Sequence, residues 1–152
     1  MAGLWYEQFE VGAVYDHPVT RTIIEADNLW FSNLTLNTQP LHIDFHKAAQ
    51  SEHGKPLVNS LFTLALMIGM SVTDTTLGTT VGNLAMGGIN FPRPVFHGDS
   101  IRARTTIKSK RESKSRPNAG IVVFYHEAFN QNDELVATCE RTGLMMKAPK
   151  SA

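Results

Sequence analysis

Pro56-Leu57-Val58-Asn59-Ser60-Leu61-Phe62-Thr63-Leu64-Ala65-Leu66-Met67-Ile68-Gly69-Met70 is the stretch that decides how the rest of the chain must fold. From Leu57 onward it holds no charged residue, and its apolar residues fall on every side of a helical projection. A helix apolar all round has to be wrapped by other elements. Pro56 stands where a helix start tolerates proline, because its missing N–H would have no partner there anyway. The run through Val72 is interrupted by Asn59, Ser60 and Thr63 and is shorter than the ~20 residues that cross a bilayer. It therefore reads as a core helix.

Downstream of Leu77 the texture turns to sheet. Thr79 to Leu84, Gly88 to Phe91, Ser100 to Ser109, Gly120 to Asn130 and Glu134 to Met146 are rich in β-branched and aromatic residues, and Ile101 to Lys108 alternates. Turn signals separate them: Pro92 with Pro94, Gly98-Asp99, Arg116 to Gly120 and Asn130 to Asp133. Gaps of hairpin length predict mostly antiparallel pairing. Upstream, Val11 to Thr22 suits a first strand or extended lead-in. Ile23 to Asn33 suits a helix with Ile24, Leu29, Trp30 and Phe31 as its apolar set, Thr22 as its cap and Glu25 completing a capping box. A polar turn follows from Thr35 to His42. A short helix is expected from about Asp44 to Glu52, ended by Gly54. One long helix wrapped by a bent antiparallel sheet is the simplest α+β packing of these parts. Ala148 to Ala152 reads as a loose tail.

Composition narrows the function. Lys plus Arg and Asp plus Glu are 14 each in 152 residues, so the formal net charge is zero. Nucleic-acid binders carry a basic surface, and attraction to anionic membranes needs basic segments, so neither partner is expected. The apolar share of 42% suffices for a real core, and the length suits one domain or two small ones. The charged share is only 18%, which suggests surface hidden in an oligomer. Cys139, the one cysteine, excludes an intrachain disulfide and a Cys-rich zinc site and fits a reducing compartment. The start, Met1 to Glu7, lacks a basic region followed by an apolar run, so a cytoplasmic location is expected.

The chemistry concentrates in Asn37 to Asp44 and Gly54 to Ser60. His42 follows Pro40-Leu41 in a turn, with Asn37, Thr38 and Gln39 within one turn of it. An imidazole moves protons near neutral pH, and a carboxamide can hold a water. The N-terminus of the core helix offers unpaired N–H groups that can stabilise an oxyanion, and Ser60 is small enough for a ligand to approach. Together these suit addition of water to a conjugated thioester.

The stretch Asn37-Thr38-Gln39-Pro40-Leu41-His42-Ile43-Asp44, with Ala48-Ala49 and Gly54-Lys55-Pro56-Leu57-Val58-Asn59-Ser60, resembles the signature of the MaoC-like dehydratases, the (R)-specific enoyl-CoA hydratase family. Phe91 to Ser100 resembles that family's second strand-turn. The resemblance covers roughly residues 10 to 147 and implies one hot-dog domain over 1–152, a long helix wrapped by an antiparallel sheet and dimerised through the sheet. It implies catalytic roles for His42, for Asn37 where the family has aspartate, and for the Ser60 N–H where the family usually has glycine. Asn59 stands where the family has histidine. Leu77 to Thr80 and Ser113 to Pro117, with Thr35 to His42, resemble a subgroup that acts on branched C5 dicarboxylyl-CoA esters such as mesaconyl-CoA or itaconyl-CoA.

On this reading the chain is a hydro-lyase that needs no cofactor beyond its CoA thioester substrate. His42 moves protons, Asn37 positions water and Ser60 holds the enolate oxygen. Gln39, Pro56, Asn59, Arg93, Lys114 and Arg116 are candidate substrate contacts, Arg93 for a second carboxylate and Lys114 and Arg116 for CoA phosphates. Two alternatives stay open: a thioesterase, which would want an acid near the helix start, and a non-catalytic acyl-CoA-binding or regulatory protein, which Asn37 would suit. His42-Ile43-Asp44-Phe45-His46 is not a recognised metal-ligand spacing, so no metal is expected; Asp44 is expected to cap the short helix. Cys139, Met67, Met70 and Met86 read as core filling. The sequence has no GxGxxG and no P-loop to support nucleotide-dependent redox chemistry. A sheet edge needs protection, which twofold pairing supplies, so a homodimer or a larger dimer-based assembly is expected.

Overall fold

The computed structural model describes residues 3–149. Five strands, β1 (Val14–Thr22), β2 (Thr80–Asn90), β3 (Ser100–Glu112), β4 (Ala119–Phe129) and β5 (Leu135–Met146), form one antiparallel sheet in the order β1-β3-β4-β5-β2. Helices α1 (Glu25–Leu34), α2 (Pro40–Ile43), α3 (Phe45–Ala49) and α4 (Ser60–Ser71) come between β1 and β2, and a π-helical turn, Val72–Thr76, extends α4. The sheet packs on α4 through Leu64, Met67 and Met70, which meet Ile101, Ala103, Ala128 and Cys139. Burial lifts the thiol pKa of Cys139. Among the described residues no helix is long and apolar enough to cross a membrane.

Several boundaries differ from expectation for local reasons. The core helix begins at Ser60 rather than Pro56: Leu57 forms an antiparallel bridge with Phe96, and the Val58 N–H donates to the Val95 carbonyl at 2.9 Å. Asn59 caps the helix, its Oδ1 accepting the Leu61 N–H at 3.1 Å. Thr22 is the last residue of β1 and pairs its hydroxyl with Ser100; Asp27 receives the Ile24 N–H at the start of α1 instead. The short helix is two pieces, α2 and α3, divided at Asp44, which accepts the Lys47 N–H as expected of a cap. Gly54 closes the following turn at φ +66, a conformation that favours glycine. Gly88 to Phe91 is not a separate strand, because β2 runs through to Asn90 with register shifts. The expected loose tail lies partly outside the described residues; Ala148 is tied to Glu7 through its N–H.

α4 is not covered on every side. Leu61 is 55% exposed, and the edge strand β2 presents Val81, Leu84, Met86 and Ile89 to solvent. The α1 pattern is inverted: it buries Asn28 and Ser32 completely and exposes Trp30 and Leu34.

A polar belt takes one residue from each strand in sheet order, buried at His17, Thr105, His126 and Arg141 and reaching the exposed Asn83 on the edge strand β2. Arg141 Nε donates to His126 Nε2 at 3.0 Å, His126 Nδ1 meets Thr105 Oγ1 at 2.8 Å, and Thr105 Oγ1 meets His17 Nε2 at 2.7 Å. His17 Nδ1 reaches Asp74 in the π-helical turn at 2.9 Å, and Arg141 Nη1 donates to Asn83 Oδ1 on β2 at 2.9 Å. Donor arithmetic fixes the direction at both ends. Because His126 Nε2 accepts from Arg141, its proton is on Nδ1 and goes to Thr105, and at the other end His17 Nδ1 donates to the Asp74 carboxylate. His126, Thr105 and His17 thus link Arg141 to Asp74 across the sheet. The belt divides the core into the α4 side and a second cluster of Tyr6, Phe9, Ile107, Val122, Phe124 and Met145.

Burial, together with the positive charge of Arg141, pushes the His126 pKa down to about 3. The unfolded imidazole titrates at ~6.5. Between those values the unfolded chain binds more protons than the native one, so stability rises with pH across this window and levels off above it. Denaturant titrations at pH 4.5 and pH 7 should show a loss approaching about 1.4 kcal/mol per pH unit on acidification from this residue. His126→Gln should flatten the slope; an unchanged slope would contradict the assignment.

Candidate active site

The segment Pro40–Ile43 is helical because Pro40 sits at its first turn and the Gln39 carbonyl accepts the His42 N–H at 3.0 Å, while the Asn37 Oδ1 accepts the Gln39 N–H at 3.1 Å to form the preceding turn. This holds His42 half-buried with its Nδ1 2.8 Å from the Leu57 carbonyl oxygen. A carbonyl only accepts, so Nδ1 carries the hydrogen and Nε2 presents a lone pair. Because the chain is extended at Leu57, not helical, that carbonyl is available to the imidazole.

Three residues later α4 begins. Of its first N–H groups, Leu61 is bonded to Asn59 Oδ1 and Phe62 to the Asn59 carbonyl, whereas the Ser60 N–H has no acceptor among the described residues. Ser60 is exposed, so this donor at the positive end of the helix is reachable. Ser60 also lines a cleft of about 250 Å³ with Leu57, Thr63, Phe91, Arg93 and Val136. The Thr63 hydroxyl is buried without a partner among the described residues.

The structure therefore joins His42 to Leu57 and the helix start, and places Ser60 and Arg93 on one cleft. His42 itself does not line that cleft; it adjoins it through Leu57. Asn37 leaves its Nδ2 hydrogens without a protein partner among the described residues, and its N–H is anchored on the Ser32 carbonyl at 2.8 Å. Gln39 is exposed and Pro56 is half-buried beside the Leu57 bridge. Arg93 is exposed and lies 3.4 Å from Glu134.

Three candidate contacts are corrected. Asn59 is 3% exposed and its side chain is spent on the Leu61 N–H and Ser32 Oγ, so it is a cap and not a substrate contact. Lys114 and Arg116 sit on the β3–β4 turn, while Arg93 precedes the other end of β3. The thirteen residues of β3 lie between them, and neither Lys114 nor Arg116 lines the cleft with Ser60 and Arg93.

Sequence reasoning missed Asn28 and His97. The fully buried Asn28 amide donates toward the His42 carbonyl at 3.2 Å, the Leu57 carbonyl at 3.0 Å and His97 Nε2 at 3.0 Å, and its Oδ1 accepts the Asn59 N–H at 2.8 Å. Burial lowers the His97 pKa, which suits a ring nitrogen that accepts. No sequence signal marked them, because Asn28 shares its helix face with Glu25 and Ser32 and its partners lie on other elements.

Residues 7–126 match the protein family described as MaoC like domain. The chain is 26% identical over 151 residues to a mesaconyl-CoA hydratase of Cereibacter sphaeroides, covering 99% of this chain and 43% of that protein. It is 28% identical over 114 residues to an (R)-specific enoyl-CoA hydratase of Aeromonas caviae, covering 72% and 77% respectively. It thus spans less than half the length of the mesaconyl-CoA hydratase. A Mycobacterium tuberculosis protein described as a double hotdog fold superposes with a TM-score of 0.88 at 21% identity, over 99% of this chain and 46% of that one. The chain belongs to the MaoC-like domain family and has the hot-dog fold.

Proposed function

We propose that the chain is a hydro-lyase that adds water to, or removes it from, an α,β-unsaturated acyl-CoA thioester. The observation that carries this is an imidazole whose Nδ1 is fixed on the Leu57 carbonyl, three residues before a Ser60 N–H that has no acceptor among the described residues at the start of the core helix. His42 Nε2 takes a proton from water as the water oxygen bonds to Cβ. The displaced electron pair moves to the thioester oxygen, where the Ser60 N–H stabilises the enolate. The enolate then collapses and Cα takes the proton back from His42, so the net change is one water added. With a single acid–base group, the place of a carboxylate is free for Asn37, whose Nδ2 donates to the water oxygen and orients it. The uncharged helix start argues against a thioesterase, which would want an acid there.

The substrate we favour is a branched dicarboxylyl-CoA such as mesaconyl-CoA. Arg93 lines the cleft beside Ser60 and offers a charge to a second carboxylate. Purified protein should remove enoyl absorbance from both crotonyl-CoA and mesaconyl-CoA. Arg93→Gln should lower kcat/KM for mesaconyl-CoA by roughly 10-fold or more, the worth of one charge-assisted bond, and leave crotonyl-CoA unaffected. Equal effects on both would remove Arg93 from substrate selection, and absence of hydration with either would favour the non-catalytic binding reading. The exposed apolar residues of α4 and the open edge of β2 support a homodimer that pairs through β2. Light scattering should give twice 16.8 kDa or a multiple of that; a stable monomer would contradict it.

A further inference from the structure

Asn28 has more bonds into the site than any catalytic candidate, yet it touches no solvent. An amide has two hydrogens and one oxygen, and here they meet three acceptors and one donor. Each of those four groups belongs to a different working part. The His42 carbonyl is the backbone of the base. The Leu57 carbonyl is the acceptor that fixes the base's tautomer. The Asn59 N–H belongs to the cap that directs the helix start. His97 belongs to the loop before β3, beside Phe45. The base and the oxyanion donor come from segments with no helix or strand in common, so something must hold them in register. Ser32, one turn further along α1, adds a second tie: its Oγ accepts from Asn59 Nδ2 and its carbonyl from the Asn37 N–H. This explains why α1 buries Asn28 and Ser32 and leaves Trp30 and Leu34 in solvent.

We infer that Asn28 is a positioning residue that sets the distance between His42 and the Ser60 N–H and holds the Leu57 carbonyl toward His42 Nδ1. The inference rests on the hydration reading for its kinetic consequence but not for its structural one. It has a sharp chemical signature, because aspartate has the same shape with no amide hydrogens. A carboxylate in place of the Asn28 amide would still accept the Asn59 N–H, but it would set an oxygen against two carbonyls and a ring lone pair.

The test is Asn28→Asp, read by kinetics and by ¹⁵N NMR of the His42 ring. The expected result is a fall in kcat on the order of 100-fold, as for a displacement of about 1 Å at a reacting group, with KM changed by less than about threefold. The His42 Nδ1 resonance should lose its protonated character, and the pH profile of kcat should shift with it. A role confined to stability would lower the melting temperature and leave the His42 tautomer and the kcat of the folded fraction unchanged; that result overturns the inference. If the aspartate variant does not fold, Asn28→Ser, which keeps one acceptor and one donor, should show the same His42 change with a smaller loss of kcat. An unchanged tautomer there also overturns it. If wild-type protein hydrates no enoyl-CoA, the hydration reading fails while the NMR arm still decides the role of Asn28.

Discussion

His42→Ala is expected to lower kcat for enoyl-CoA hydration on the order of 100-fold or more, with KM moved by no more than about threefold. A positioned acid–base group contributes roughly 10²–10⁴-fold. In the proposed mechanism the same imidazole both activates water and returns the proton to Cα, so its loss falls on both half-steps. The backbone of the site should survive, because the His42 side chain makes one bond, to Leu57, and the Asn28 ties run to main-chain atoms. Ser60 and the helix start remain to bind the thioester, so the loss should appear in kcat. His42→Gln supplies a donor to Leu57 but no base and should be equally slow. Stopped-flow or absorbance assays at saturating substrate check this; activity within about fivefold of wild type in either variant would remove His42 from the mechanism.

Arg141→Met is expected to cost about 3 kcal/mol or more of folding stability, as when one partner of a buried charge network is removed. The guanidinium is 3% exposed, stacks over Phe124 at 4.5 Å, and supplies the hydrogens received by His126 and Asn83. Methionine fills the volume but leaves the buried acceptor His126 Nε2 without a donor and breaks the link from β5 to Asn83. At this chain length each kcal/mol moves Tm by about 2–4 °C, and the comparison must be made at fixed protein concentration because assembly contributes to apparent stability. A loss below about 1 kcal/mol would show that the belt is not a connected unit. The belt couples all five strands to the turn after α4, so the effect should appear as global rather than local unfolding.

Much of the fold follows from patterns that depend on neighbours in sequence. The apolar stretch after Leu57 and the alternation in Ile101 to Lys108 each report which side of an element faces the core, so the helix-in-sheet arrangement could be read from them. Boundaries could not. Pro56 to Val58 look like a helix start, but a pairing with Val95 and Phe96 holds them extended, and that partner lies about 38 residues away. The same long-range pairing exposes the Leu57 carbonyl to His42, so the error at the boundary and the key bond of the site have one cause. His42 and Ser60 were legible because their neighbours restrict the chain locally. Asn28, His97 and the belt from Arg141 to Asp74 were not, since their partners lie on other elements and one polar residue in a strand or helix says nothing of what it meets. Asn59 was misjudged for a related reason: a residue that caps a helix and one that greets a substrate occupy the same place in sequence, and only burial separates them.

In the proposed mechanism one enoyl thioester lies between His42 Nε2 and the Ser60 N–H. The most direct measurement is a crystal structure of the protein with a bound 3-hydroxyacyl-CoA. The thioester oxygen should lie ~3 Å from the Ser60 nitrogen and the 3-hydroxyl within hydrogen-bond reach of His42 Nε2 and Asn37 Nδ2. A thioester seated away from the start of α4, or a hydroxyl out of reach of His42, would contradict the account.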